Sequence, residues 1–499
     1  MIIGKPNPLK SAPANSTSPV NNAPSSSLRL PINARDVLEE RYSGRDALRD
    51  EMLYGNEDLI RALEALGIAG PFSMLTPWEM QDPNAHRTIN AGGYASIPFG
   101  DRYPPLQDFM REFLERSRAL GLPQQSASAW RAALETNLIA LLTHFAPSHA
   151  DSRVFFSNSG AEAVETAIKF VRAARPKARE FINFKGGYHG KTMGALALTP
   201  NAEYQDSFRP LMPNVTTLPY GDADALEAAI QRLGAKNIAA VILEPLQGEA
   251  GVIAPPADFL PRVNALCHRN EILMIADEIQ TGLGRTGHWF ASIVGGLEPD
   301  IITLAKPLGG GIAATGTTIA RKWIFAKTLA GFASKRHSNT FGGNSFAMAV
   351  GLKSLEILVS ENLPERSQRL GAIGLQRLQA IQAMYPNLLE AVRGAGLLMA
   401  LQFKTVLPGK TIPFLGEMIS EASGVLGCRT LYAGGVTANF SLSAKRVIRL
   451  SPALNMPDEV FERMIVSIEG SAERNPTANH MLRQFPVDRL YRLGKLALK

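Results

Sequence analysis

The pattern of apolar and polar positions divides the chain into a helical N-terminal part, an alternating middle and a mixed C-terminal part. Across residues 36–67, leucines recur at mostly helix-like intervals among charged residues, which predicts helix. A loop rich in Gly and Pro is predicted for residues 70–105. The apolar spacing then predicts two amphipathic helices, over residues 106–119 and 128–146.

The middle of the chain alternates short apolar runs with helical stretches. Four runs predict strands buried on both faces: Val154–Phe156, Ala239–Leu243, Ile272–Ala276 and Ile301–Leu304. Further helices are predicted at three places: Ala161–Ala174, Ala223–Leu233 and Ser345–Val359. This alternation predicts an α/β fold with a mainly parallel sheet. A mixed α+β segment is expected to follow it.

The two ends differ from the body of the chain. Residues 1–35 are rich in Ser, Pro and Asn and contain no acidic residue, which predicts a disordered tail. Residues 476–499 end in a basic amphipathic stretch, to which we assign no function. Between the tails we predict an N-terminal segment, 36–127, a large domain, 128–360, and a C-terminal small domain, 361–475. The N-terminal segment is expected to contribute to the small domain and to dimer contacts.

Composition and charge exclude several classes of protein. The 499 residues are 45% hydrophobic and 19% charged, as in globular proteins, and no apolar run approaches the roughly 20 residues of a membrane helix. The two cysteines, Cys267 and Cys428, fit neither a disulfide framework nor a zinc cluster, so a reducing, cytoplasmic location without a metal site is expected. The net charge of +7 is spread along the chain, and this spread argues against a nucleic-acid partner.

Two segments combine small residues with a side chain that a ligand could contact. In Phe156–Glu162 an apolar run meets a turn, and Ser159 and Glu162 have the spacing of a capping box at a helix start. Such a turn can bind an anion through backbone amides and the helix dipole, although alone the motif favours an ordinary helix cap. In Gly186–Gly190 the glycines leave Tyr188 open to a planar ligand, or simply form a surface turn.

Two further segments place a charged residue at the end of an apolar strand, where open α/β sheets bind ligands. Asp277 follows one run, and its carboxylate needs a cationic partner such as a protonated pyridine nitrogen or an arginine. Lys306 follows another, where desolvation lowers the pKa of an amine and frees it to attack an aldehyde. The glycines at 309–311 leave room for a bulky ligand, which an exposed surface lysine would not explain.

Together the four segments supply an anion cradle, an aromatic face, an acid for a pyridinium nitrogen and a lysine for a Schiff base. Pyridoxal 5'-phosphate needs such partners to serve as an electron sink. We therefore predict a pyridoxal-phosphate enzyme whose Lys306 holds the cofactor.

Two motifs carry a family resemblance. Ala276–Gly287, and Glu298–Asp300 leading to Lys306, resemble the class III aminotransferases of the aspartate-aminotransferase fold, known as fold type I. The resemblance runs from about Asn137 to Pro452 and does not include Ala91–Arg102. It implies a large domain with a mainly parallel seven-stranded sheet and a small α+β domain.

The resemblance also implies a role for each residue around the cofactor ring. Lys306 would form the Schiff base and move the proton between the substrate's Cα and the cofactor's C4'. Asp277 would keep the pyridine nitrogen protonated, and Gln280 would hydrogen-bond the ring hydroxyl. Tyr188 would stack on the ring, with His189 beside it.

The phosphate and the assembly follow from the same resemblance. Ser159, Gly160 and Ala161 would bind the phosphate. Thr340 resembles a threonine that reaches the phosphate of a neighbouring subunit, which implies a homodimer with shared active sites.

Substrate recognition is implied by two more residues. Arg449 resembles the family's carboxylate-binding arginine, whose guanidinium suits a carboxylate. Glu249 resembles the glutamate that covers this arginine in ornithine- and 4-aminobutyrate-type members. The implied reaction is a ping-pong transamination from an ω-amine or amino acid to a keto acid.

Two alternatives remain open at the level of sequence. The same cofactor residues also serve amino-acid racemases, aminomutases and decarboxylases, because reaction choice depends on substrate orientation rather than on these motifs. A non-catalytic binding homologue is the other alternative, and the intact Asp277 and Lys306 argue against it.

Overall fold

The structure, a computed structural model, describes residues 30–406, 423–441, 443–486, 488–489 and 492. It divides into two compact units, Met1–Glu57 and Asp58–Lys499. Most of the predicted disordered tail, and most of residues 487–499 in the basic C-terminal tail, lie outside the described residues. The domain boundaries proposed from the sequence therefore stay predictions.

Seventeen helices of α type are found in the described part of the chain. They are α1 (Ala34–Leu38), α2 (Gly44–Tyr54), α3 (Glu57–Leu66), α4 (Pro104–Arg116), α5 (Ala129–Phe145), α6 (Gly160–Ala174), α7 (Met193–Ala197), α8 (Ala202–Gln205), α9 (Ala223–Leu233), α10 (Phe259–Arg269), α11 (Ala291–Val294), α12 (Lys322–Leu329), α13 (Ser345–Ser360), α14 (Leu363–Met384), α15 (Ser423–Ala433), α16 (Asp458–Arg474) and α17 (Ala478–Arg483). None of them combines the length and the apolar composition that a bilayer-spanning helix requires.

Fifteen strands lie in the same described ranges. They are β1 (Ser73–Thr76), β2 (Glu79–Gln81), β3 (Arg87–Asn90), β4 (Arg153–Ser157), β5 (Glu180–Phe184), β6 (Val215–Leu218), β7 (Ile238–Leu243), β8 (Leu273–Asp277), β9 (Ile301–Leu304), β10 (Gly316–Ala320), β11 (Leu389–Ala395), β12 (Leu398–Phe403), β13 (Val436–Thr437), β14 (Asn439–Phe440) and β15 (Val447–Leu450).

A seven-stranded sheet forms the centre of the second unit. Its strand order is β4-β10-β9-β8-β7-β5-β6, and only β10 runs antiparallel to its neighbours. Every residue of β7, β8 and β9 is buried, because apolar helices and loops cover both faces. The predicted α/β class, with a mainly parallel seven-stranded sheet, is thus confirmed.

Along the N-terminal part of the chain, the prediction of helix over 36–67 is confirmed and the prediction of a loop over 70–105 was wrong. The helical stretch expected over 36–67 is three helices, because Ser43 caps α2: its side chain accepts from the Asp46 amide, and the Asp46 carboxylate accepts from the Ser43 amide. The loop expected over 70–105 contains β1, β2 and β3, which pair antiparallel and are joined by β13 in parallel. These strands are only three or four residues long, too short for a strand pattern to emerge from the sequence.

A second antiparallel sheet, of order β11-β12-β15-β14, lies in the C-terminal part of the chain. Arg449 is on β15 and pairs with Ala400 of β12 and with Asn439 of β14. The sheet thus holds the arginine in the interior, where only 2% of its surface is exposed.

Candidate active site

The carboxyl ends of the central strands converge on one cavity of about 510 Å³. Asp277 ends β8, Glu244 follows β7, and Lys306 lies two residues beyond β9. Because these strands are parallel neighbours, their ends open at the same edge of the sheet. All three side chains line the cavity.

Lys306 begins a short turn of 3-10 helix directly after Ala305. Burial lowers the pKa of its amine, while the nearby carboxylates of Asp277 and Glu249 oppose that shift. Lys306 also lines a second cavity of about 390 Å³, with Asn158 and Gly311. Lys306 is therefore accessible from two sides and can be uncharged at a higher fraction than a surface lysine.

Gly310 and Gly311, which follow Lys306, differ in what requires a glycine. Gly310 and Gly311 adopt φ values of +59° and +81°, which favour glycine. A Cβ on Gly310 would lie 2.8 Å from side-chain atoms of Leu106 and Ser354. Packing against helices, rather than room for a ligand, requires glycine at 310, whereas Gly311 does line the second cavity.

Asp277 is held by three donors and is almost fully buried. One carboxylate oxygen accepts from the Ile279 amide and from the Thr303 hydroxyl, each at 3.1 Å. The other lies 2.7 Å from Nδ1 of His189. Thr303 and Ile279 were not singled out in the sequence. Their contacts pin one carboxylate at the base of the cavity in a fixed orientation.

The turn after β4 places backbone amides at the cavity wall. The Ser159 side chain accepts from the Glu162 amide at 3.2 Å and caps α6, as its spacing predicted. The Glu162 carboxylate, however, accepts from the amide of Asn158 rather than from that of Ser159. Gly160 and Ala161 line the cavity at the positive end of the helix dipole, which favours an anion.

Tyr188 lies on the turn between β5 and α7 and lines the cavity. Its amide donates to Oε1 of Glu244 at 2.9 Å. Burial raises the pKa of its phenol to about 12, so the ring stays neutral and can face a planar ligand. The next glycine, Gly190, packs so tightly that a Cβ would lie 2.7 Å from that of Ala161. This contact brings the tyrosine turn against the anion-binding turn.

Glu249, Gln280 and Arg449 form one polar group beside the cavity. Nη1 of Arg449 lies 2.7 Å from Oε1 of Glu249 and 3.5 Å from Oε1 of Gln280. Nε and Nη2 of Arg449, and Nε2 of Gln280, are buried without a hydrogen-bond partner among the described residues. Unsatisfied buried donors are costly, and they indicate that polar groups of a ligand belong here.

Tyr94 joins this group although sequence reasoning missed it. The guanidinium of Arg449 lies 5.7 Å from the centroid of its ring, within the range of a cation–π contact. Gly93, Tyr94 and Ala95 all have positive φ, and the Tyr94 amide donates to Asn439. No local pattern could have revealed this contact, since it depends on strand pairing far along the chain.

Thr340 does not line the cavity of its own chain. It lies in the segment before α13, where its carbonyl accepts from the side chain of Gln124. The apolar side chains of Leu120, Leu122 and Phe341 in the adjoining segments are exposed. Thr340 is thus held apart from the cavity that Lys306 lines, and Ser159, which caps α6, does not line it either.

The residues present fit pyridoxal phosphate. The cavity offers a buried amine, a fixed carboxylate, a neutral aromatic ring and a helix N-terminus for a phosphate. The unpaired Nε2 of Gln280 adds a donor. Gly160 has no room for a side chain, since a Cβ would meet Ile279 at 2.8 Å, so the backbone itself forms that wall.

A mainly parallel seven-stranded sheet with this lysine and this aspartate at its carboxyl edge defines a pyridoxal-phosphate-dependent enzyme of fold type I. Residues 80–470 match the family described as aminotransferase class III. The chain belongs to this family, as the motifs around Asp277 and Lys306 predicted.

Named relatives agree with this assignment. A putrescine aminotransferase of Pectobacterium atrosepticum is 37% identical over 315 residues, which are 62% of this chain and 64% of that protein. The aminotransferase PigE of a Serratia species is 37% identical over 324 residues, 64% of this chain but only 36% of PigE. An amine transaminase from an uncultivated Pseudomonas species, in its cofactor-bound form, has a TM-score of 0.71 at 28% identity. That match covers 81% of this chain and 94% of the transaminase.

Proposed function

We propose that this protein is a transaminase that moves an amino group from an ω-amine or basic amino acid to a keto acid such as 2-oxoglutarate or pyruvate. The observation that carries the proposal is the joint placement of Lys306 and Asp277 in one cavity. The family and the similarity to a putrescine aminotransferase support it.

The protein's own residues divide the work. Bound pyridoxal phosphate supplies an electron sink for the substrate's Cα. The Nζ atom of Lys306 takes the proton from Cα and returns one at the end of the transfer, and its lowered pKa suits it to both roles. Asp277 would hold the protonated ring nitrogen of the cofactor, Tyr188 would cover the ring, and Gln280 would donate to the ring hydroxyl.

Two residues fit a site that accepts substrates of different charge. With Glu249 at 2.7 Å, Arg449 is neutralised and an amine without a carboxylate can bind. If Glu249 moves aside, the free N–H groups of Arg449 offer a fork to a keto-acid carboxylate. Tyr94 forms a wall against the guanidinium in either case.

The proposed assembly is a homodimer. The exposed apolar side chains near Thr340 suit a contact with a second copy, and Thr340 itself would reach the partner's phosphate. Light scattering should give twice the chain mass. Thr340→Ala should weaken cofactor binding without changing that mass, and a monomeric wild-type protein would contradict the assembly.

An amine panel tests the reaction. Putrescine, ornithine and 4-aminobutyrate are incubated with the cofactor-loaded protein and 2-oxoglutarate or pyruvate, and the amino acid formed is measured. Formation of glutamate or alanine is expected for at least one donor. Conversion of an amino acid without any keto acid would instead favour the racemase or aminomutase alternative.

A further inference from the structure

Glu244 is a buried carboxyl group to which the proposed reaction gives no role. It follows β7, has only 5% of its surface exposed and lines the cavity with Lys306 and Asp277. Burial raises the pKa of its carboxyl to about 7, with the neighbouring Asp277 raising it further and His189 lowering it. A carboxyl in such a place is costly unless its position serves the site.

One oxygen of Glu244 binds the turn that carries Tyr188, and the other binds the amide of Gly248, four residues further along the loop in which Glu244 itself lies. Oε1 accepts from the amide of Tyr188 at 2.9 Å, and Oε2 accepts from the amide of Gly248 at 3.0 Å. The first loop carries the ring that would stack on the cofactor. The second carries Glu249, the residue after Gly248, which pairs with Arg449.

The backbone at Gly248 is tightly packed and cannot move without displacing a neighbour. A Cβ on Gly248 would lie 1.5 Å from Oε1 of Gln280, so the backbone there is pressed against the Gln280 amide. The same Gln280 oxygen is the one that lies 3.5 Å from Nη1 of Arg449. A shift of the Gly248 backbone must therefore move the Gln280 side chain as well as Glu249.

We propose that Glu244 is a positioning residue that couples the placement of the Tyr188 ring to that of the Glu249–Arg449 pair. The inference rests on the proposed function, because it gives the two loops their roles. Through this coupling, opening or closing of the Glu249–Arg449 ion pair changes the position of the Tyr188 ring over the cofactor.

The change that tests the coupling is Glu244→Gln. The amide has the same shape but only one acceptor oxygen, so one of the two backbone N–H groups must face an NH₂ group. Glu278→Gln is the matched control, since Glu278 is equally buried and accepts from the Ser292 amide but does not line the cavity.

The first measurement uses the cofactor-free protein. Hydrogen–deuterium exchange is followed in peptides that cover Tyr188 and Gly248. Both amides should exchange about tenfold faster in Glu244→Gln, while Glu278→Gln leaves them at wild-type rates. Faster exchange at only one amide, or at neither, overturns the coupling, and so does an equal effect in the control.

The second measurement uses the loaded enzyme with two acceptors, a keto acid and an aldehyde that lacks a carboxylate. Glu244→Gln should change the ratio of their kcat/KM values at least fivefold and raise the Kd for pyridoxal phosphate about tenfold. An unchanged ratio overturns the inference. If the wild-type protein does not transaminate at all, the proposed function fails, and the exchange experiment still decides whether Glu244 links the loops.

If the Glu244→Gln variant does not fold, the coupling can still be tested in the wild-type protein. The protection factors of the Tyr188 and Gly248 amides should agree within about threefold, because one side chain holds both. Strongly unequal protection overturns the coupling.

Discussion

Nδ1 of His189 lies 2.7 Å from Oδ2 of Asp277, and both side chains are buried. The amide of His189 donates to the Thr199 hydroxyl at 2.9 Å, so the residue is itself held in place. The sequence placed His189 only beside the aromatic ring. Its contact with the acid indicates that it orients Asp277 toward the cavity.

His189→Ala should weaken cofactor binding. A hydrogen bond to a charged group contributes about 1.5–3 kcal/mol, so the Kd for pyridoxal phosphate should rise by roughly 10- to 100-fold. Equilibrium dialysis measures it. His149→Ala is the control, since His149 is fully buried beside Ser152 and does not line the cavity. An unchanged Kd in His189→Ala would remove the residue from the cofactor site.

Lys306→Ala should abolish the covalent link and lower turnover by at least about 10³-fold, since general acid–base catalysis alone contributes 10²–10⁴-fold. Borohydride reduction followed by peptide mapping locates the link. Lys191→Ala is the matched control, because Lys191 lines the same cavity but lies 4.0 Å above the Tyr204 ring. A label found on Lys191, or on no lysine, contradicts the assignment.

Arg449→Ala should act on substrates with a carboxylate. The loss of a charge-assisted pair costs about 1.5–3 kcal/mol, so kcat/KM for 2-oxoglutarate should fall roughly 10- to 100-fold. Activity with an aldehyde acceptor should change much less, and this acceptor serves as the internal control. Equal losses with both acceptors would mean that the arginine supports the fold and not carboxylate recognition.

The raised pKa of Glu244 gives the cofactor-free protein a pH-dependent stability. The groups that act on this carboxyl or interact with it are Tyr188, His189, Tyr220, Asp277 and Lys306. Since the folded-state pKa is about 7 and the ordinary value is 4.5, the folded protein binds the proton more tightly. Its contribution to stability is fully present below about pH 4.5 and is lost as the pH rises toward 7.

Glu244→Gln should remove that dependence. The wild-type free energy of unfolding should contain a term that falls by about 3 kcal/mol between pH 4.5 and 7, and the variant should lack it. Denaturant titrations of both proteins across this range measure the difference. Parallel curves for the two proteins would show that the carboxyl titrates near its ordinary value.

Much of the central fold was predictable because buried parallel strands are short apolar runs. Val154–Phe156 and Ile301–Leu304 were recognised within one residue of the observed strands. β5, β6 and β10 were not singled out, because Asn183 interrupts the first and threonines dominate the others. Some of these side chains have partners that no local pattern reveals, such as the Leu198 carbonyl, to which the Asn183 amide group donates.

In the candidate site, too, residues marked by a local apolar run were predictable and residues defined by long-range contacts were not. Asp277 and Lys306 were predicted because each follows an apolar run, and that position in the sequence is enough to place them at the sheet edge. Tyr94 and Glu244 were missed, because the significance of Tyr94 comes from its contact with Arg449 and that of Glu244 from its contact with Tyr188, and both contacts join residues distant in sequence.

The one antiparallel strand of the central sheet, β10, sets the distance between the anion-binding turn and Lys306. β10 separates β4, which leads to the anion-binding turn, from β9, which leads to Lys306. Two strand spacings make a gap of about 9–10 Å. Gly316, the first residue of β10, is pressed so closely against the Ser159 carbonyl that a Cβ would lie 2.1 Å from its oxygen. The packing of β10 therefore fixes the distance between the anion-binding turn and the amine of Lys306. An added methyl group at Gly316 would change that distance.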